Sequence, residues 1–360
     1  MNPLNLLTGI VDHVIVSPIS SVIEGISEAT CAKNHKPRSV DDFSYDLENW
    51  MKKLPDSIRD NVPIINLAIP GTHNSGSYAI NSMSAIAPDA DGSTPGLHKA
   101  FPKRICCWAK TQEYNFKQQL VNGIRYFDLR LAPKGDDIYF VHGVYSTEVT
   151  NPLKEISEFL KSHPNEFVFL DCQKFYKFEL HHHEKFKAML LSLFGDVMFS
   201  SPIDLPYLTL SKADDLQKQV VVIYRNNTNC SETFFKSGYF PNPWANVTST
   251  EKLKDFLDNK IKSRNPDTAY CTQLILTPDG NYIAARFHLS LKNTCSRHVM
   301  KDLGPYLKSQ TPGPFVRGEA SKINVIIADF VEQDNNFFTR TVVDLNMKLL
   351  SLNFDGKSSI

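Results

Sequence analysis

The chain has 360 residues, and its 39 Lys and Arg balance 39 Asp and Glu, so no net charge at pH 7 draws it toward DNA, RNA or anionic lipid. Hydrophobic residues make up 42 %, enough for a sizeable core in one α/β barrel with insertions. Seven scattered cysteines without a CxxC pair suggest neither a zinc site nor a disulfide framework, and reduced thiols in the cytosol are the simplest reading.

Residues 1–44 read as an N-terminal extension, partly disordered or peripheral. Their apolar stretch is interrupted by Asp12, His13, Glu24 and Glu28 and lacks a basic start. It falls short of the ~20 residues needed to cross a bilayer, so neither a signal peptide nor a transmembrane segment is expected. Without a leader, the sequons at Asn226 and Asn246 read as chance. The core begins near Trp50 with a short helix ending at Leu54-Pro55. Short β-branched runs then predict strands over Ile64–Ile69, Arg125–Leu131, Ile138–His142, Phe167–Asp171, Val220–Tyr224, Gln273–Thr277 and Asn324–Phe330. Between them, helices are predicted over Thr111–Asn122, Asn151–Ser162, Glu179–Phe194, Thr250–Lys262, Ser296–Lys308 and Phe337–Leu350.

Strands alternating with helices imply a parallel sheet. With one strand hidden in a long connection, the pattern predicts a single-domain TIM-type (β/α)8 barrel over 45–352, possibly distorted, followed by a tail, 353–360. An open doubly wound sheet is the competing architecture.

Polar residues then recur at the ends of these strands, where a barrel forms its active site. Pro70-Gly71 is followed by His73, Asn74 and Ser75. Period two puts Tyr126, Asp128 and Arg130 on one face of their strand. His142, Asp171 and Asp329 end or interrupt three further apolar runs. A lone strand-end histidine is more often structural, and a buried Asp–Arg pair is as often an ion pair as a site. The run His181-His182-His183 reads as a solvated helix face rather than a metal site, because adjacent helical residues point apart.

Taken together, two histidines, an arginine and supporting acids suit phosphodiester chemistry. One imidazole takes a proton and another gives one, while a guanidinium neutralises the crowded phosphorane. A carboxylate behind one histidine would orient it.

At these residues the sequence resembles the phosphatidylinositol-specific phospholipase C X-domain family. It is most similar to the short eukaryotic X domain-containing members, particularly the second and third of that group. The likeness runs from Asp46-Leu-Glu-Asn-Trp50 to Leu350. It is carried by Asn66-Leu-Ala-Ile-Pro-Gly-Thr-His73, Gln119-Leu-Val-Asn-Gly-Ile-Arg-Tyr-Phe-Asp-Leu-Arg130, Phe140-Val-His-Gly143, His182-His-Glu-Lys185, Pro243-Trp-Ala-Asn246 and Val325-Ile-Ile-Ala-Asp-Phe-Val331.

The resemblance implies cleavage of phosphatidylinositol to diacylglycerol and inositol 1,2-cyclic phosphate. His73 would be the general base and His142 the general acid. Arg130 would stabilise the phosphate, Asp128 would position that arginine, and Asp329 would orient His73. Calcium-dependent relatives carry an acid where this chain has Arg130, so no metal is expected to be required. Asn74 is a counterargument, since those relatives carry Asn there and Asp128 and Asp171 occupy two further ligand positions.

Asp171, Arg225 and Lys174 are the substrate-binding candidates. Phosphatidylinositol in a membrane surface is the expected partner, reached by transient peripheral contact from the cytoplasm, with no nucleic acid. The stretch from Ala85 through Phe101 to Trp108 reads equally as a bilayer-docking loop or as a lid over the barrel mouth. Two rival functions are a phosphoinositide-binding module with little turnover and a metal-dependent barrel phosphodiesterase.

Overall fold

The computed structural model describes residues 46–201, 204–313 and 322–351. The predicted extension over 1–44 and the tail over 353–360 lie outside the described residues. The strands are β1 (Ile69–Thr72), β2 (Tyr126–Lys134), β3 (Asp137–Val141), β4 (Tyr145–Glu148), β5 (Val168–Phe175), β6 (Val220–Tyr224), β7 (Cys271–Gln273) and β8 (Val325–Ala328). The helices are α1 (Asp56–Asn61), α2 (Thr94–Ala100), α3 (Pro102–Ala109), α4 (Phe116–Val121), α5 (Thr150–Ser162), α6 (Leu180–Phe194), α7 (Leu210–Asp215), α8 (Thr250–Ile261), α9 (Gly280–Ala285), α10 (Arg297–Ser309) and α11 (Gln333–Leu345).

Parallel pairing runs β7-β8-β1-β2-β5-β6. The ring is a distorted TIM-type barrel, because β6 and β7 are not paired among the described residues. An irregular segment, 235–241, fills the gap. Phe235 exchanges hydrogen bonds with Tyr224 and Val222 at 2.8 and 2.9 Å, and Cys271 N donates to Pro241 O at 2.9 Å. The barrel expected from the sequence is thus present in its distorted form, with six parallel strands in the ring. The two remaining strands, β3 and β4, form an antiparallel hairpin on the outer half of β2.

Side-chain parity explains the layers. Ile69, Tyr126, Phe169, Val221, Ile223, Cys271, Val325 and Ile327 pack into one cluster inside the ring. Their neighbours Phe127, Leu129, Val168, Leu170, Val222, Ile326 and Ala328 pack outward with helix residues such as Phe186, Leu253 and Val342. This alternation is the period of the strand itself. Gly71 lies on the inner face, where a Cβ would come within 2.8 Å of Tyr126 and 2.9 Å of Ile327, so no larger residue fits without displacement.

Several element boundaries differ from expectation, three of them near the site or its frame. Ile64–Asn66 forms a 3₁₀ turn rather than a strand, with Asn324 Nδ2 donating to Ile64 O and Leu67 O at 3.1 and 2.8 Å. The strand predicted over Gln273–Thr277 ends at Gln273, close to where its partner β8 ends. Helix α4 starts at Phe116 rather than Thr111, because Asn115 and Gln118 form a reciprocal capping box.

At the barrel floor, the fully buried Arg125 pairs with Glu166 at 2.8 Å. Arg125 also donates to Leu120 O, Ile124 O and Glu48 O, while Glu166 accepts from Met51 N and Lys52 N. The pair thus pins the segment around Trp50 across the ends of β2 and β5. Removing one partner strands the other charge in the core. Glu166→Ala is expected to lower unfolding stability by about 3–5 kcal/mol in urea titration. A loss below about 1 kcal/mol would show that water reaches Arg125.

Candidate active site

The inward parity of β1 and β8 continues past their C-terminal ends, and that of β2 runs within the strand. His73 follows Gly71 on β1, Asp128 and Arg130 follow Tyr126 on β2, and Asp329 follows Val325 and Ile327 on β8. His142 arrives differently from the expectation of a parallel strand. Strand β2 runs nine residues, turns at Gly135, and returns as β3 antiparallel to it, with Leu131 opposite Phe140. The return brings His142 back to the barrel mouth, with its ring 6.1 Å from that of His73 and nearly perpendicular to it.

His73 Nδ1 is 2.8 Å from Asp329 Oδ1, and His73 Nε2 is 2.9 Å from Arg130 Nη2. A carboxylate only accepts and a guanidinium only donates, so His73 carries its proton on Nδ1. Arg130 is braced by Asp128, at 3.2 Å to Oδ2 and 3.4 Å to Oδ1. Burial alone would raise the pKa of Asp128, but Arg130, His73 and the Asn74 N–H hold it below the ordinary carboxylate value.

His142 Nδ1 donates to Ala109 O at 2.6 Å, which leaves Nε2 as the nitrogen that can exchange a proton. Burial, the Arg130 charge and His73 pull its pKa down to about 3. Asn74 has left-handed backbone, and its N–H donates to Asp128 Oδ2 at 3.2 Å. Its side-chain amide is buried, and neither polar atom has a hydrogen-bond partner among the described residues.

The structure thus gathers His73, Asn74, Asp128, Arg130, His142 and Asp329. The three substrate-binding candidates flank that cluster: strand pairing sets Asp171 beside Asp128 and Lys174 beside Arg130, and Arg225 lies on Asp171. Asp171 accepts two 2.7 Å bonds from Arg225 and another from the Tyr126 hydroxyl, so its oxygens are occupied. Arg225 also donates to Phe240 O in the closing segment. Lys174 is exposed, in register with Arg130 on the adjacent strand.

His182 and His183 are buried rather than solvated, which corrects the reading of that run. His182 caps its own helix, and His183 Nδ1 lies 2.6 Å from the Tyr224 hydroxyl amid Phe175 and Phe178. The stretch predicted as a loop over Ala85–Trp108 contains helices α2 and α3. Trp108 is buried edge-on to Tyr282, and Arg104 Nη1 donates to His288 O at 2.8 Å. This packing removes Trp108 as a docking residue, while Phe101 stays 42 % exposed.

Sequence reading missed the supports behind the histidines, namely Ala109, Thr111 and Gln112. Thr111 Oγ1 and Gln112 Nε2 donate to His73 O at 3.0 and 2.9 Å. The Asn115–Gln118 spacing carried the signal, since a helix starting at Phe116 leaves these residues in a loop.

Residues 102–226 match the family described as phosphatidylinositol-specific phospholipase C, X domain. PI-PLC X domain-containing protein 3 of Danio rerio is 36 % identical over 84 % of this chain and 94 % of its own length. The Homo sapiens protein of that name is 35 % identical over 83 % and 94 %. Protein 2 of Mus musculus is 35 % identical over 83 % and 87 %. Among solved structures, a mutant phosphatidylinositol-specific phospholipase C from Staphylococcus aureus superposes with TM-score 0.58 at 20 % identity, covering 85 % of this chain and all of that one. The enzyme from Listeria monocytogenes gives 0.54 at 18 % identity, covering 84 % and 99 %.

The depressed histidines make stability depend on pH with a definite sign. Unfolded, His142 and His183 bind protons near 6.5; folded, they do so only near about 3 and about 4. The unfolded state therefore binds more protons in that window, and stability present above 6.5 is lost as pH falls toward those values. Urea midpoints should drop between about pH 7.5 and about pH 5, with a shallower slope in His142→Asn. Equal slopes in the two proteins would mean that His142 titrates normally.

Proposed function

The chain belongs to the phosphatidylinositol-specific phospholipase C X-domain family, and on that premise we propose that it cleaves phosphatidylinositol by acid–base catalysis without a required metal. The observation that carries the reading is the continuous chain Asp329–His73–Arg130–Asp128 at the barrel mouth, with His142 beside it. Arg130 donates to the lone pair that a base must use. An incoming phosphodiester competes for that guanidinium, which suits phosphate oxygens better than a neutral ring nitrogen. His73 Nε2 is then free to take the proton of the inositol 2-hydroxyl, while Asp329 stabilises the imidazolium that forms. The hydroxyl oxygen attacks phosphorus, Arg130 holds the negative charge, and His142 Nε2 delivers a proton to the departing diacylglycerol oxygen. The product retains a 1,2-cyclic phosphate.

His142 must be protonated for that last step, yet it is held neutral before substrate arrives. Bound phosphate offsets the Arg130 charge and removes one of the causes of the depression. Asn74 offers an unsatisfied donor and acceptor beside the base, and a phosphate oxygen or sugar hydroxyl would satisfy them.

The residues do not fit a calcium ion. Asp128 faces Arg130 and the Asn74 N–H, and Asp171 faces Arg225 and Tyr126. Both carboxylates are already compensated, and a divalent ion would meet the Arg130 charge. Access to lipid is assigned to the α2–α3 segment, where half-exposed Phe101 follows Lys99 and precedes Lys103.

A second reading, a phosphoinositide-binding module with slight turnover, is favoured by one observation: His142 sits beside His73 and Arg130 with Nδ1 committed to Ala109 O, a setting that opposes the charged acid turnover needs. Phosphorus NMR of phosphatidylinositol vesicles in chelator separates the two. A cyclic inositol phosphate signal is expected, reduced by about 10²–10⁴-fold in His73→Ala. Vesicle binding without any signal, in chelator or in calcium, would establish the binding module instead. Turnover that appears only with calcium would overturn the metal-free assignment. In vesicle sedimentation, Phe101→Ala should weaken binding while the cyclic product still forms on detergent-dispersed lipid. Unchanged sedimentation would remove that segment from the membrane contact.

A further inference from the structure

We infer that Gln112 is a positioning residue that fixes the His73–Asp329 pair, an inference that rests on the acid–base reading of those two groups. The register of β1 and β8 ends at Thr72 opposite Ala328, and the last rung is His73 N–H to Ala328 O at 3.2 Å. The functional pair sits one residue beyond that register. Its 2.8 Å contact therefore depends on whatever holds the two chain ends together where strand pairing has stopped.

Gln112 occupies that place. It is fully buried, and its Nε2 donates to His73 O and to Ala328 O, both at 2.9 Å. One carboxamide thereby ties the backbone of the base to the residue preceding its orienting carboxylate. The amide orientation is dictated, because turning it over would set Oε1 against two carbonyl oxygens.

Gln112 is itself held, with its N–H donating to Ser77 Oγ at 3.1 Å. Its neighbour Thr111 supports the far side of Asp329, where Thr111 O accepts from Phe330 N at 2.7 Å. That bond acts on a residue with φ of +51°, a left-handed conformation that a bulky side chain rarely adopts. The chain leaving Asp329 is therefore kept in place by its partners rather than by its own preference. Since a 1 Å misplacement of a catalytic group can cost on the order of 10²-fold, the loss of this tie should be visible in rate.

The test compares Gln112→Met, which keeps side-chain length without donors, with Gln112→Asn, which keeps the donors one methylene short. Two readouts are taken, turnover of phosphatidylinositol vesicles and the downfield proton NMR resonance of His73 Nδ1–H, assigned by its loss in Asp329→Asn. For Gln112→Met the expectation is a kcat lower by roughly 10–100-fold. KM should stay within about twofold, because the amide touches no substrate. The downfield resonance should shift or broaden, while circular dichroism remains that of the wild type. Gln112→Asn should change both readouts in the same direction, and it carries the test alone if the Met variant does not fold.

An unaltered kcat and resonance in a folded variant would overturn the inference. So would a stability loss with neither readout changed, which is the signature of mere packing. If the wild type shows no turnover, the acid–base reading fails on its own, and the resonance still decides whether Gln112 sets the His73–Asp329 contact.

Discussion

A permanent positive charge on the inner face of a barrel strand is the constraint to which this site is built. Arg130 cannot be neutralised by losing its proton, so its neighbours must answer it. Asp128, two residues earlier on the same face, does so directly and is itself kept ionised by the pairing. His73 presents a lone pair to the guanidinium, and the tautomer this demands turns Nδ1 toward Asp329. His142 shares the enclosure without a counter-charge of its own and is driven toward neutrality. Burial and this one arginine together thus hold Asp128 ionised and His142 neutral.

The barrel supplies the frame for that charge in two ways. Period-two alternation sends Tyr126, Asp128 and Arg130 inward while Phe127, Leu129 and Leu131 pack against helices. The opposite end is closed by a different device, the buried Arg125–Glu166 pair that binds the chain around Trp50 to the strand starts. The two ion pairs differ in kind. Arg125 is saturated by carbonyls and a carboxylate and serves packing, whereas Arg130 keeps part of its guanidinium toward the mouth.

Irregular parts of the fold carry much of the site. The hairpin β3–β4 delivers His142, the segment 235–241 closes the ring and receives Arg225, and the α2–α3 segment runs straight into the residues behind both histidines. Helix α3 ends at Ala109, whose carbonyl holds His142, and three residues later Gln112 holds His73. A rigid sheet offers inward positions at fixed spacings, and these connections adjust the remainder to the geometry of the chemistry.

Much of this was legible in the sequence, because it depends on neighbours a few residues apart. Strand parity put Asp128 and Arg130 on one face, strand ends put His73, His142, Asp171 and Asp329 at one rim, and apolar run lengths gave β2, β6 and β8 closely. The Asn115–Gln118 capping pair was also readable and would have corrected the start of α4. What the sequence did not decide was partnership across distance. Asp171 was free to be a ligand until Arg225, 54 residues away, closed on it. Trp108 was as good a membrane residue as a buried one until Tyr282 packed against it. His182 and His183 read as solvated until Phe178 packed against both and Tyr224 bonded His183. Local pattern fixes which face a side chain leaves the backbone from, since that follows from covalent geometry. Which group it meets there, and hence its protonation, depends on burial and on charges brought together only when the ring closes.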